Sequence, residues 1–500
     1  MAIPSAEKPD ITMIDDRSID RADAEKGQNI RTIDNFRVLG LTDDDVDFYE
    51  NFSDEARKRV VRKVDVRLIP MLAVLYLISH LDRANIGNAK IEGLADDLHL
   101  TGLQYNLVLS LFFVPYVLLE VPSNILLKRF SRPSLYLGTL VTSWGVIMTL
   151  HGVTKNFGGL LAVRMLLGVM EAGFYPGAVY LCTFWYMPKQ LATRIAYFYC
   201  TSALSGAFSG LLAAGIAQMD GVGGYEGWRW IFILEGIATV IRFLELQGFI
   251  KQGGRFSDIE QEKKFNWHDL KMVLTNWRLY LQAYILLVQS ACSYGTKFTL
   301  PTIVKGMGFT STNAQLMTAP AYVAGGISSI LFARLSDHFH WRMPSCVAPL
   351  TIMTIGYSII MGLQGDLKGS HIGPGYFAIV LTTIGIYPLN PAGSAWAGSN
   401  LAPTSRRAIG VAFNICVGNL GGIVGSYMYL DKEAPKYQTG FGLSLAFGGS
   451  AIIVALLLEL SYKLGNARKA KLTEEEIRNK YTEDDLLKLG DKSPLFKYTL

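Results

Sequence analysis

The sequence has 500 residues, of which 50% are hydrophobic and 18% charged, and its mean hydropathy is +0.25. This composition excludes a soluble multidomain enzyme, because charged residues make up about a quarter of ordinary globular chains. The net charge of +5 comes without a basic stripe interleaved with aromatic residues, so a nucleic-acid partner is excluded as well. The five cysteines show no metal-ligand spacing and are interpreted as small core residues.

The chain begins with a polar stretch that we interpret as a cytosolic tail. Residues 1–50 contain many Asp residues and few aromatics, a composition typical of disorder. A dense run of Lys and Arg follows at 57–67, directly before the first apolar segment. Because positive charge marks the cytosolic side of a membrane span, residues 1–66 are predicted to be a cytosolic disordered tail with a basic flank.

Twelve apolar segments of about 20 residues, the length that spans a bilayer, follow along the chain. They predict an N-terminal six-helix bundle at 67–249 and a C-terminal six-helix bundle at 278–464, joined by a cytosolic linker at 250–277 and followed by a cytosolic tail at 465–500. Basic residues in alternate loops place both termini in the cytosol. The predicted fold is an all-α membrane protein with twelve transmembrane helices, at 68–88, 104–127, 134–154, 158–183, 195–218, 228–249, 278–300, 313–334, 344–364, 374–398, 408–429 and 441–463.

Charged side chains are rare inside these segments, and two pairs stand out. An ion at bilayer depth costs about 2.5–3.5 kcal/mol on insertion scales, so a buried charge needs a partner or a function. Asp82 and Arg83 are adjacent near the end of the first segment. Arg164 and Glu171 are seven residues apart in the fourth, hence on one helix face, with Gly168 between them where another helix can approach.

Two interpretations of these pairs remain open. The charges could neutralise each other and simply hold helices together. Alternatively, the first and fourth helices line one cavity, where the planar guanidinium of Arg binds a substrate carboxylate and a neighbouring acid takes up a proton. Glu120 and Glu235 are ambiguous in the same way. Lys297 lies one turn before a proline, and we interpret it as reaching towards the membrane surface, with a contact to the substrate as the alternative.

The tenth segment is interrupted by the stretch GIYPLNPAGSAWAGSN at 385–400. A broken helix at membrane depth is tolerated where it lines a cavity, although a plain proline kink is an equal alternative. In a cavity, Tyr387 and Trp396 could stack on a flat ligand and Asn390 could donate a hydrogen bond.

Several motifs together resemble the anion:cation symporter branch of the major facilitator superfamily. They are LDRANIGNAK, EVPSNILLKRF, RMLLGVMEAGFYPG and MDGVGGYEGWRWIFILEG. The likeness is strongest to fungal allantoate-permease-type carriers, and within them to nicotinic acid permeases. It implies proton-coupled import of a small organic monocarboxylate across the plasma membrane, by a monomer without cofactor or metal.

The resemblance also implies roles for individual residues. Bacterial sugar-acid symporters of the same broad family have an Asp-Arg pair in the first helix and an Arg and a Glu seven apart in the fourth. By that likeness Asp82 and Glu171 would carry protons, Arg83 would bind the substrate carboxylate, and Arg164 would tune the neighbouring acids beside the substrate.

Other functions remain open at this stage. A second group of substrates consists of allantoate, other ureides and pantothenate. From a different class, the chain could be a nutrient sensor that binds its ligand on a carrier fold without transporting it. An enzyme is not expected, since no nucleophile with a matching base and no nucleotide-binding loop occurs in the sequence.

Overall fold

α-Helices make up nearly all the regular structure of the protein. The computed structural model describes residues 53–130, 133–186, 194, 197–198, 201–250, 267–339, 341–472, 476–477, 480–482, 486 and 489–500, and no β-strand occurs among them. From residue 64 onward the described chain belongs to one compact unit, which contains the site discussed below. Residues 1–52 of the predicted tail and residues 251–266 of the predicted linker lie outside the described part.

Eight α-helices are described with their full bounds in the N-terminal half of the chain. Most are long, and each coincides with a predicted apolar segment, apart from a short turn of helix after the first. They are α1 Asp54–Ile91, α2 Leu94–Asp97, α3 Gly102–Arg129, α4 Pro133–His151, α5 Phe157–Glu171, α6 Phe174–Trp185, α7 Thr201–Ile216 and α8 Gly227–Ile250.

Further α-helices are described in the C-terminal half. A short helix in the predicted linker precedes the long ones, where the sequence FNWHDLKMVLTNW predicts an amphipathic surface helix. These helices are α9 Trp267–Leu274, α10 Trp277–Gly306, α11 Ser311–Phe339, α12 Met343–Gly362, α13 Ile372–Ile386, α14 Leu389–Ser399, α15 Thr404–Met428 and α16 Gln438–Lys469.

Nine helices of the described chain are long and apolar enough to cross a membrane, and a shorter apolar helix covers Leu135–His151. The predicted all-α membrane protein is therefore confirmed, whereas length and composition do not fully establish the count of twelve spans. α8 and α10 are long but are not among the nine. In α10 the physical reason is clear, because buried polar side chains such as Gln282, Gln289 and Lys297 lower its hydropathy.

Small residues allow the helices to pack closely around the site. A Cβ atom at Gly168 of α5 would overlap the Phe112 carbonyl oxygen of α3, as the spacing of Arg164 and Glu171 around this glycine predicts. At Gly425 of α15 a Cβ would lie 2.5 Å from the Ala291 carbonyl oxygen of α10. Glycine at these positions brings the backbones of α3, α5, α10 and α15 close enough for their polar side chains to meet.

Two long helical stretches are interrupted inside predicted apolar segments. α5 ends at Glu171 and α6 begins at Phe174, so Glu171 is the last residue of its helix. α13 ends at Ile386 and α14 begins at Leu389, as the prolines of the tenth segment predict. A proline has no backbone N–H to donate, and the helix therefore breaks where Pro388 follows Tyr387.

The last residues of the chain pack onto the ends of α14 and α16. The Asn466 side chain accepts a hydrogen bond from the Tyr498 N–H at 2.8 Å and donates to the Tyr498 carbonyl at 2.9 Å. Asn400 makes the same pair of bonds with the backbone of Thr499, at 2.8 and 2.9 Å. The Trp396 indole N–H also donates to the Thr499 carbonyl, at 3.1 Å. Two asparagines thus hold the tail by its backbone.

The cysteines that the structure describes are unpaired, as the sequence predicts. Cys182, Cys292 and Cys346 are buried and Cys416 is partly buried, whereas Cys200 lies outside the described residues. These thiols fill space between helices.

Candidate functional site

Helix α1 presents two polar faces inside the molecule. Residues three or four apart on a helix share a face. One face carries Ser79 and Arg83, and another carries Asp82, Asn85 and Asn88. All five side chains are at most 5% exposed, so each needs a polar partner from a neighbouring helix.

Glu171 is bound by the first of these faces. The Ser79 hydroxyl donates to Glu171 Oε1 at 2.5 Å, and the Arg83 Nε–H donates to Glu171 Oε2 at 3.0 Å. Glu171 is fully buried and Arg83 nearly so. Both carboxylate oxygens are therefore engaged, and the pair is held by charge and by hydrogen bonds together.

Arg83 links the two halves of the chain. Its Nη1 donates to the Tyr294 hydroxyl of α10 at 2.9 Å. The guanidinium also lies over aromatic rings of α3, with its Cζ 5.3 Å from the Phe112 centroid and 4.7 Å from the Tyr116 centroid. Aromatic faces stabilise a cation by about 0.5–2 kcal/mol each, so Arg83 keeps its charge in this buried position.

A cavity of about 50 Å³ lies beside Arg83, between the N-terminal and C-terminal halves. Its wall combines two cations with tyrosines and neutral polar groups. We call it the central cavity, and it is lined by Tyr76, His80, Arg83, Tyr116, Tyr175, Ser202, Gln289, Ser290, Ser293, Tyr294, Lys297, Tyr387, Asn390, Ile415 and Asn419.

Lys297 of α10 also lines the central cavity. Its ammonium lies 3.2 Å from His80 Nδ1, donates to the Ser202 carbonyl at 3.3 Å, and lies 5.9 Å from the Tyr387 ring centroid. The side chain is buried, so the interpretation that it reaches the membrane surface is wrong. These partners are neutral, which leaves the positive charge of Lys297 available to an anion.

The second face of α1 meets α4, α7 and α8. The Trp144 indole N–H donates to Asp82 Oδ2 at 2.7 Å, and the Asn85 amide donates to Glu235 Oε2. Neither Asp82 Oδ1 nor Glu235 Oε1 has a hydrogen-bond partner among the residues that the structure describes. Asp82 is thus near Arg83 in sequence but points away from the central cavity. We call Asp82 and Glu235 the interior acids.

Arg164 lies in the interior of the N-terminal half and does not line the central cavity. It interacts electrostatically with Tyr105, Glu171 and Asp82. Its Nε and Nη2 atoms are buried and have no hydrogen-bond partner within the described chain. The structure therefore brings Arg164 near the predicted acids, without a direct ion pair to any described residue.

The predicted site residues of the tenth segment lie in two different places. Tyr387 and Asn390 line the central cavity, and the Asn390 amide lies 3.5 Å from Gln289 Oε1. Trp396 is buried two turns further along, where its indole binds the C-terminal backbone. This placement favours a structural role for Trp396. Glu120 is also buried and accepts a hydrogen bond from the Asn419 amide at 3.3 Å, which links α3 to α15.

Sequence reasoning missed three important side chains: Ser79, His80 and Tyr294. Ser79 precedes Arg83 by four residues, so a helical-wheel reading could have placed it on the Glu171 face. His80 and Tyr294 had no such signal, because their roles depend on how α1 and α10 are rotated towards each other.

The halves also meet at the end of the molecule where α1 ends, which we call the Ile91 end. The Lys90 ammonium lies 2.5 Å from Asp431 Oδ1, and the Gln315 amide donates to Glu92 Oε1 at 2.9 Å. These contacts join α1 and its following loop to α11 and to the loop after α15.

A polar, charged cavity between two sets of membrane-spanning helices defines a membrane transport protein. The Major Facilitator Superfamily model matches residues 72–426, and the chain belongs to that family. The protein is therefore a transporter and not an enzyme.

Individual proteins show how far the likeness extends. The MFS-type transporter cnsO of Penicillium expansum is 35% identical over 90% of this chain and 92% of its own. The high-affinity nicotinic acid transporter of Saccharomyces cerevisiae is 30% identical over 92% of this chain and 88% of its own. A bacterial homologue of the human lysosomal transporter Spinster, crystallised inward-facing and unoccupied, shares the fold with a TM-score of 0.63 at 17% identity, covering 79% of this chain and 95% of that one.

Proposed function

We propose that the protein is a proton-coupled symporter that imports a small organic monocarboxylate. One observation carries the proposal: Arg83 from the N-terminal half and Lys297 from the C-terminal half face one central cavity. A carboxylate has two oxygens, each of which accepts a charge-assisted hydrogen bond. An anion between these cations would bind both halves at once, as a carrier that alternates its access requires.

Competition for Arg83 supplies a physical mechanism for proton coupling. Arg83 now binds Glu171, and a substrate carboxylate needs the same guanidinium. If the substrate displaces Glu171, a buried carboxylate is left without its cation, and it is neutralised by taking up a proton. Anion and proton would then enter together. Asp82 is the other proton-coupling residue in the proposal, and Arg164 stabilises whichever acid is charged.

The cavity wall favours a flat substrate of modest size. Tyrosines from α1, α3, α6, α10 and the α13–α14 break surround the cations, and their rings can stack on a planar ligand. A cavity of about 50 Å³ admits only a few water molecules, so the halves must separate slightly when a ligand binds. Nicotinate, a planar monocarboxylate, fits this chemistry, and the likeness to the yeast nicotinic acid transporter supports it.

Membrane topology forms part of the same proposal. We infer two six-helix bundles at 67–249 and 278–464, with both termini in the cytosol and the Ile91 end outside the cell. The run of Lys and Arg at 57–67 supports this orientation. The plasma membrane is the proposed location, and the monomer the proposed working unit.

Uptake of labelled nicotinate tests the function directly. The chain would be expressed in cells that lack their own nicotinate carriers, and uptake measured at acidic and neutral external pH, with and without a protonophore. We expect accumulation that acidic pH increases and the protonophore abolishes. Excess unlabelled nicotinate should compete, whereas nicotinamide, of nearly the same shape but uncharged, should not.

The same experiment separates the alternatives. Labelled allantoate and pantothenate, run in parallel, would identify either as the substrate if nicotinate fails. Ligand binding to the purified protein without accumulation in cells would contradict transport and indicate a sensor. Uptake that a protonophore does not reduce would contradict proton coupling. Glu171→Gln, which cannot ionise, should lose the dependence on external pH.

A further inference from the structure

Glu235 of α8 is a buried acid in the N-terminal half that the transport mechanism above does not use. It is 8% exposed and lies on the side of α1 that faces away from the central cavity. Its contacts show which groups hold its carboxyl group and which carboxyl oxygen has no partner among the described residues. The inference drawn from them rests on the proposed proton coupling and extends it.

The three buried acids around α1 differ in how their oxygens are used. Both oxygens of Glu171 accept hydrogen bonds, one of them from a guanidinium. Asp82 and Glu235 each have one oxygen engaged by a neutral N–H donor and one buried oxygen with no partner in the described structure. A carboxylate buried in this way is unfavourable, whereas a carboxylic acid carries its proton on the free oxygen.

The charges around the interior acids also favour a protonated carboxyl group. Asp82 interacts electrostatically with Glu235, Glu171 and Arg164. Arg83 is already bonded to Glu171, and Arg164 is the guanidinium that interacts with Asp82. Two ionised carboxylates would therefore share one cation. If the interior acids share one proton, the site is neutral. Two neighbouring carboxyl groups in a buried site do not both ionise.

Neutral amides and hydroxyls fix the Glu235 carboxyl in position. The Asn88 amide donates to Ser209 Oγ at 2.6 Å, and Ser209 donates to Asn85 Oδ1 at 2.9 Å. Asn85 in turn donates to Glu235 Oε2, which can accept either as a carboxylate oxygen or as the carbonyl oxygen of an acid. The arrangement can therefore hold Glu235 in either protonation state.

The described parts of α4 and α8 also carry His151 and Arg229, and neither is bonded to Glu235. From α4, His151 stacks on Phe232 with a ring-centroid distance of 5.4 Å, and its Nδ1 lies 2.9 Å from the Ile147 carbonyl. The other ring nitrogen, Nε2, has no partner among the described residues. On α8 itself, Arg229 bonds Asp97 and Glu226 near the start of the helix. Ser209 is the polar contribution of α7.

We propose that Glu235 is a proton-binding site, and that it shares with Asp82 a proton that moves with the substrate. The chemical step is the addition of one proton to Glu235 Oε1 and its later release; no other bond forms or breaks. Because the interior acids lie outside the central cavity, this proton is bound separately from the anion. Glu235 acts through the charge of the N-terminal half and not by touching the substrate.

Glu235→Gln tests this proposal, since glutamine keeps the acceptor for Asn85 but cannot titrate. In cells that accumulate labelled nicotinate, we expect exchange of labelled for unlabelled nicotinate to continue at close to the normal rate. The steady-state accumulation should fall, by about 50-fold per 100 mV of driving force for each coupled proton lost. Glu226→Gln, the same change at an exposed acid just before α8, is the matched control and should accumulate normally.

A second measurement needs no substrate. Infrared difference spectra of the purified protein, recorded between acidic and alkaline pH, report the C=O stretch of buried carboxylic acids. We expect a titrating band that Glu235→Gln lacks, that Glu226→Gln retains and that Glu235→Asp restores at a shifted position. A retained band together with normal accumulation in Glu235→Gln would overturn the proposal.

The two measurements also separate this inference from the transport function. Should the unaltered protein accumulate no nicotinate while Glu235→Gln removes the band, the substrate assignment fails and the proton site stands. If the unaltered protein accumulates nicotinate in response to pH and Glu235→Gln changes neither measurement, the proton site fails and the transport function stands.

Discussion

The interior around α1 and the region of the docked tail bury charge in different ways. In the N-terminal half, Asp82, Arg164 and Glu235 lie in the helical interior with polar atoms that no described residue satisfies. In the C-terminal half, the buried pair Arg406 and Asp269 is bonded at 2.9 Å near the docked tail. Fully bonded pairs hold a structure in one arrangement, whereas partly bonded charges can respond to protons or ligands. The interior around α1 is therefore the region whose charge state can change more readily.

Lys297 is the main contribution of charge from the C-terminal half to the central cavity. It is buried against neutral partners, in contrast to Arg83, which already has a carboxylate. Substrate binding would therefore satisfy a cation on one side and release an acid on the other. Variants of Arg83 and Lys297, and of residues that stabilise the surrounding structure, test whether the two cations have these different roles.

The largest effect is expected from Arg83→Lys. Lysine keeps the charge, but its single ammonium cannot reach both Glu171 and Tyr294, which the arginine binds through different nitrogens. Disturbing a buried ion pair costs about 3–5 kcal/mol, so nicotinate uptake at equal surface expression should fall by at least about 100-fold.

The control for this variant is Arg194→Lys. Arg194 pairs with Asp65 at 3.0 Å, and both side chains are partly exposed, so uptake should change by less than about threefold. Arg83→Lys with more than half of normal uptake would mean that the guanidinium does not organise the site.

A smaller effect is expected from Lys297→Gln, measured as the KM for nicotinate. Losing one charge-assisted hydrogen bond to the substrate costs about 1.5–3 kcal/mol, so KM should rise about 10- to 100-fold. Lys297→Arg, which keeps a cation, should recover much of the affinity. Lys432→Gln, at an exposed lysine between α15 and α16, is the matched control. An unchanged KM in Lys297→Gln would place the substrate elsewhere.

Much of the helical fold and part of the candidate site could be predicted from the sequence, because helices that span a membrane have recognisable local sequence patterns. Apolar length identified the helices, and the spacing of Arg164, Gly168 and Glu171 predicted both a polar face and a close helix contact. The prolines around residue 388 predicted the break between α13 and α14. Each of these signals lies within one helix.

What the sequence did not indicate is how the helices are rotated towards one another. Asp82 and Arg83 are neighbours in the chain, yet their side chains lie on different faces of α1. Lys297 points into the protein, although its position near a proline suggested that it reaches the membrane surface. The partners of these residues lie far away in the chain. The packing of the tail could not be predicted either. Asn400 and Asn466 bind backbone groups, which are the same in every sequence.

The tail contact supports a third prediction, on stability. Asn466→Ala removes both hydrogen bonds to the backbone of Tyr498. A loss of about 1–2 kcal/mol should lower the melting temperature of the purified protein by about 2–6 °C and make the last residues more sensitive to carboxypeptidase. Asn313→Ala, at an exposed position in α11, should change neither. If Asn466→Ala melts and digests like the unaltered protein, the tail does not stabilise the C-terminal half.

The smallest expected effect concerns two acids outside the spans, whose environments shift their pKa in opposite directions. Burial raises the pKa of Glu92 above 4.5, against the opposing influence of Lys305 and Gln315. A raised pKa means that the charged form destabilises the folded state at neutral pH, and that this cost is lost as the pH falls. Glu92→Gln should therefore raise the melting temperature by about 1–2 °C at pH 7.5 and have less effect near pH 4.

Glu226 gives the opposite sign and serves as the control for Glu92. Its own backbone N–H and the Arg229 guanidinium lower the pKa of Glu226, so its charged form stabilises the folded state above the unfolded pKa and this stabilisation is lost as the pH falls. Glu226→Gln should lower the melting temperature slightly at pH 7.5 and lose this effect in acid. Equal shifts of one sign in both variants would show that the charge itself, and not its surroundings, determines stability at these positions.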